Sequence, residues 1–122
     1  MLEDLKEAEM KMAEDVGDPI AVKEEDLLKR QIIMCQVAAA DSPMKLVGCV
    51  NMFEAMLFED IEKNDIPYRP DELELQTRNE FGLKPSMPLT VDCQYILALK
   101  KFRVLYRIFK RFHFSVRMDG QI

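Results

Sequence analysis

The chain has 122 residues, 48% hydrophobic and 32% charged, with four glycines, six prolines and a formal net charge of -5. That composition excludes a collagen-like, low-complexity or intrinsically disordered polymer. The length suits a single domain, residues 1–122, burying roughly two thirds of the surface its unfolded form exposes.

Residues 2–16 place Leu2, Leu5, Met12, Ala13 and Val16 near helical spacing among acids, and Gly17-Asp18-Pro19 stops the pattern. This predicts a first helix. Asp18 as a cap and Pro19 at the first helical position open a second helix, running to about Ala40. Its expected inner stripe is Leu28, Ile32, Cys35 and Ala39, flanked by Leu27 and Met34. Ser42-Pro43 repeats the device and starts a third helix, with Leu46, Val50, Phe53, Leu57 and Ile61 at spacings of 4, 3, 4 and 4. That is the clearest core helix in the chain.

The prolines of Ile66 to Pro70 impose an extended connector. Pro70-Asp71-Glu72 has the start signature of a short helix, and Gly82 after Phe81 is its stop. Leu83 to Leu89 reads as loop. From Thr90, a good N-cap, a long helix runs through Arg111 with Tyr95, Leu99, Phe102, Tyr106 and Phe109 as its apolar stripe. Beyond it, Phe112, Phe114, Val116 and Met118 alternate with polar residues, the period of a strand, and Asp119-Gly120 has hairpin-turn character. The expectation is an all-α, irregular bundle of about five helices, with either a short C-terminal strand or a fraying helix over 112–118.

Charge divides the same chain differently. Residues 1–92 hold 21 acids and 10 bases, whereas residues 93–122 hold 1 acid and 7 bases. The domain is thus organised as an acidic helical part (1–65), a connector with a short helix (66–89) and a basic amphipathic helix with its tail (90–122). Lys100, Arg103, Arg107 and Lys110 share one face of that last helix, joined by Arg111, and form the candidate partner-binding set. A basic amphipathic face suits an acidic protein groove, an anionic lipid surface or phosphates. It equally suits pairing with the chain's own acidic helices. Nucleic acid is less favoured, because the net negative charge opposes long-range attraction to a polyanion.

Other patterns point away from chemistry. The turn at Asp41-Ser42 between two helices resembles a DNA-reading motif, but the middle of the following helix carries Val47, Val50, Met52 and Phe53 rather than donors for base edges. Glu54, Glu59, Asp60 and Glu62 form a carboxylate cluster read as a solvated face. A di-iron bundle site would need Glu-x-x-His, and Lys110 stands three residues before the single histidine, His113. Cys49 or Cys93 with His113 lacks a third orienting group, so inert, buried cysteines are expected. Gly17, Gly48, Gly82 and Gly120 stand alone and make no phosphate loop. Pro67-Tyr68-Arg69-Pro70 fits PxxP only formally, as two prolines framing a helix start. Nine methionines suit either an irregular core or an adaptable groove. Met52, Met56 and Phe58 flank the third helix's stripe and would let it bridge to a second chain.

Three cysteines (Cys35, Cys49, Cys93) at wide spacing give neither a disulfide framework nor a zinc clasp, which favours a reducing compartment and no metal. The acidic opening Met1-Leu2-Glu3-Asp4 is unlike a basic signal peptide. The longest uncharged apolar runs, Leu46 to Val50 and Tyr95 to Leu99, fall far short of the ~18 residues of a membrane span. A cytoplasmic, non-catalytic accessory protein follows, without cofactor, acting in a homo-oligomer or larger assembly through its basic C-terminal helix. The alternatives are peripheral binding of that helix to anionic lipid or nucleic acid, and a small enzyme using carboxylates or a cysteine. A compact viral or phage accessory protein would suit so short and motif-poor a chain, although no residue carries that reading.

Overall fold

The computed structural model describes the backbone of residues 23–120 and the side chains of residues 23–111. Four helices account for most of it: α1 (Glu24–Ala39), α2 (Pro43–Lys63), α3 (Pro70–Glu80) and α4 (Val91–Gly120). The expected helix over 2–16 and the Asp18-Pro19 cap lie outside the described residues. Lys23 is extended (φ -66°, ψ 141°), so α1 begins at Glu24, later than expected.

The helix ends follow local chemistry. Ser42 Oγ accepts the Lys45 amide at 3.2 Å, with Pro43 in the first helical position, where no backbone donor is needed. Thr90 does the same for α4, accepting the Cys93 amide at 3.2 Å. At the end of α3, Gly82 is left-handed (φ 69°), the Leu83 amide reaches the Arg78 carbonyl and the Gly82 amide that of Asn79, a complete Schellman closure. The end of α2 is built identically around Asp65 (φ 51°), where Ile66 donates to the Ile61 carbonyl.

Of the two alternatives for 112–118 the strand is not formed: α4 continues as helix through Gly120, and the Asp119-Gly120 turn is absent with it. Extending an existing helix adds one hydrogen bond per residue without a new nucleus, whereas a lone strand leaves its backbone groups needing a partner. Among the described residues there is no strand to provide one.

Packing centres on α4, which touches each of the other three helices and lies most extensively against α2. All five residues of the expected α2 stripe, Leu46, Val50, Phe53, Leu57 and Ile61, are buried. Phe53 sits between Phe102 and Phe109, with ring centroids 5.5 and 5.8 Å away. On α4 the buried arc is wider than expected. Phe102, Tyr106 and Phe109 are buried, but Tyr95 and Leu99 are only partly so, while Cys93, Leu97, Ala98, Leu105 and Ile108 join the interior. A helix flanked by three others needs apolar residues over more than one stripe.

On α1 the expected face is reversed. Leu27, Arg30, Ile33 and Val37 are buried, whereas Leu28 (57% exposed), Ile32 (50%), Cys35 and Ala39 face outward. The reason is Arg30. Its charge makes the true inner face look polar in sequence, yet the guanidinium bonds Asp60 on α2 and donates to the Met56 carbonyl at 3.3 Å. A buried charge paired in this way is tolerated.

Candidate protein-binding surface

The outward stripe of α1 is a set of apolar side chains at spacings of 4, 3 and 4, which places Leu28, Ile32, Cys35 and Ala39 on one side of the helix. The stripe runs into a groove of about 470 Å³ between the last turn of α1 and the first half of α2. Ala39, Ala40, Gly48, Cys49 and Met52 give it a largely apolar wall, and Gln36 stands at its side. The Asp41–Lys45 ion pair, 2.9 Å and well exposed, marks its end. A Cβ placed on Gly48 would meet nothing within 4 Å, so the floor is open there. Met52 is 51% and Met44 55% exposed on the same helix. Contiguous apolar side chains on two adjacent helices form the kind of patch that marks a contact surface.

Sequence spacing alone places these α1 residues in the core and so does not mark this surface. The available signal was that α1 is apolar on two opposite sides, a pattern one core cannot cover with a peripheral helix. Cys35, expected to be buried, belongs to that outer side; Cys49 is half-buried and Cys93 fully buried.

The basic set on α4 is dispersed by the fold. Lys100 pairs with Glu80 of α3. Lys110 is 3% exposed and lies over the Tyr106 ring, 5.8 Å from its centroid, a cation–π contact. Arg111 is half-buried. Arg103 and Arg107 remain exposed beside one another. Lys101, on another side of α4, stands 3.6 Å from Glu54 of α2.

The carboxylate cluster of α2 is likewise not one solvated face. Glu54 accepts the Tyr68 hydroxyl at 2.5 Å and Asp60 holds Arg30, whereas Glu59 and Glu62 are exposed. Burial, reinforced by the Glu54 carboxylate, pushes the Tyr68 phenol above its ordinary ionisation range. Tyr68 therefore holds its proton and serves as a donor that pins the 66–69 connector to α2. A cavity of about 570 Å³ is lined by this Tyr68–Glu54 pair together with Phe58, Ile61, Glu62 and Asp65. No group of three or more potential metal ligands occurs among the described residues. None of the helices over those residues is long and apolar enough to cross a membrane. Compared with protein-family models, with curated proteins and with solved structures, the chain matches none.

Proposed function

We propose that this chain is a non-catalytic interaction protein that acts in an assembly by binding another protein through the outward face of α1 and the groove beside it. One observation supports this above all: α1 is apolar on two opposite sides, and the described fold covers only the side of Leu27, Ile33 and Val37. Leaving Leu28 and Ile32 half in water forgoes stabilisation that burial against a partner would supply, at about 25 cal/mol per Å². The three free cysteines favour a reducing, cytoplasmic setting.

The basic face of α4 supplies a second reading, favoured by the adjacent exposure of Arg103 and Arg107. With Lys100 held by Glu80 and Lys110 buried, that face offers fewer charges to lipid or nucleic acid than the sequence promises. Affinity capture of the full chain separates the two. The Leu28→Glu/Ile32→Glu variant is expected to lose the co-purifying protein, and Arg103→Glu/Arg107→Glu to keep it. The reverse pattern, or binding to anionic vesicles or duplex DNA that falls with salt and disappears in the arginine variant, would replace the first reading with the second.

A further inference from the structure

Resting on that reading, we infer that the occupant of the α1 face is a second copy of this chain, with the two α1 helices side by side and parallel. The spacing of Leu28, Ile32, Cys35 and Ala39 is that of alternating d and a positions in a coiled-coil seam. It extends over three turns of an exposed helix. Charge sets the orientation. In this register Glu24 and Gln31 occupy g positions, Lys29 and Gln36 occupy e positions, and Glu25 takes the a position that precedes the seam, so that a parallel pair brings the two Glu25 together in the first turn, each with Lys29 of its own helix 3.5 Å away. In a parallel pair each g residue faces the partner's e residue five places further on, so Glu24 meets a lysine and Gln31 an amide, each twice by symmetry. An antiparallel pair would set Lys29 beside Gln36 and Gln31 beside Ala38, with no opposite charges. The existing Glu25–Lys29 contact, 3.5 Å between two exposed side chains, is weak enough to be shared.

The seam alone falls short of the roughly 800 Å² per partner of a standard interface. The adjoining groove, with half-exposed Met52 and the open floor at Gly48, enlarges the same face, and Met44 is exposed on the same helix. Thioether side chains adapt to a neighbour's surface without strain. The flanks carry one acid, one base and two amides, which suits an identical surface better than a strongly charged partner.

In a parallel pair Cys35 faces its own counterpart across the symmetry axis, which makes the orientation measurable. Sedimentation equilibrium of the full chain from about 1 to 100 µM is expected to show twice the 14.2 kDa chain mass. Ile32→Glu, which folds because the position is half in water, sets two carboxylates against each other and is expected to weaken association roughly 100-fold or more. Diamide oxidation is expected to yield a disulfide-linked dimer in the wild type and in Cys49→Ser, and none in Cys35→Ser. A wild type that stays monomeric throughout, or a dimer indifferent to Ile32→Glu, overturns the inference. So does a dimer sensitive to Ile32→Glu but not crosslinked through Cys35, because its helices are then not parallel. Should the wild type be monomeric while Ile32→Glu still loses a different co-purifying protein, the interaction reading stands and the second copy is rejected.

Discussion

Arg30 of α1 reaches into the interior to bond Asp60 of α2, with its side chain only 6% exposed, an enclosed ion pair that joins two helices. The pair lies where a hydrophobic residue would otherwise close the α1–α2 contact. Removing one partner leaves the other charge without compensation, whereas replacing the cation by an apolar side chain of similar length need not. Asp60→Ala is therefore expected to lower stability by about 2–4 kcal/mol, and Arg30→Met to change it by less than about 1 kcal/mol. Urea unfolding of both variants measures the asymmetry. Equal large losses would mean that the guanidinium contributes net stability of its own.

Phe53 and Phe58 lie five residues apart on α2 and differ in every physical respect. Phe53 is fully buried between Phe102 and Phe109, and Phe58 is 53% exposed. Phe53→Ala is expected to cost about 3–5 kcal/mol through lost burial and the cavity left behind. Phe58→Ala should remain within about 0.5 kcal/mol of the wild type. Thermal unfolding monitored by circular dichroism distinguishes them.

The Tyr68 phenol, raised by burial and by Glu54, couples stability to alkaline pH. The unfolded chain releases this proton near pH 10, while the folded chain retains it. The stabilising contribution is thus complete below pH 10 and declines as pH rises above it. Tyr68→Phe is expected to remove that part of the alkaline decline, at a cost of about 1.5–3 kcal/mol at neutral pH from the lost bond to a carboxylate. Ultraviolet titration of the folded protein to about pH 11 should give the same phenolate amplitude in wild type and variant. A smaller amplitude in the variant would show that Tyr68 ionises in the native state.

Two helix ends use the same left-handed residue with different side chains. Gly82 accepts that conformation freely, whereas Asp65 carries a Cβ into it. Asp65→Gly is expected to gain about 0.5–1 kcal/mol, and Gly82→Ala to lose about 1 kcal/mol. Melting temperatures of the two variants should move in opposite directions.

Helix boundaries were legible where a residue's own chemistry closes the backbone: Ser42-Pro43, Pro70, Gly82 and Thr90 all act as their chemistry implies. The α2 stripe was legible because its five apolar residues recur without a charge among them. The α1 face was not, because apolar spacing occurs on both sides of that helix and the decisive partner of Arg30 lies thirty residues away. The C-terminal alternation leaves helix and strand undecided for a related reason, since a period of two carries no information about whether a neighbouring strand exists. The basic residues of α4 are visible in the sequence only as a spacing along one helix. Their dispersal depended on Glu80 and Tyr106, whose positions only the tertiary structure supplies.

The central place of α4 determines when this domain can exist during its own synthesis. Val50, Phe53 and Leu57 emerge well before the surface that covers them, from Leu97 to Phe109, is made. A nascent chain ending at Thr90 holds α1, α2 and α3 without the helix they pack against, so these three are expected to remain loosely collapsed until α4 arrives. Premature termination or proteolysis in the 83–89 loop would therefore release two pieces, neither with a core of its own, rather than a smaller working domain.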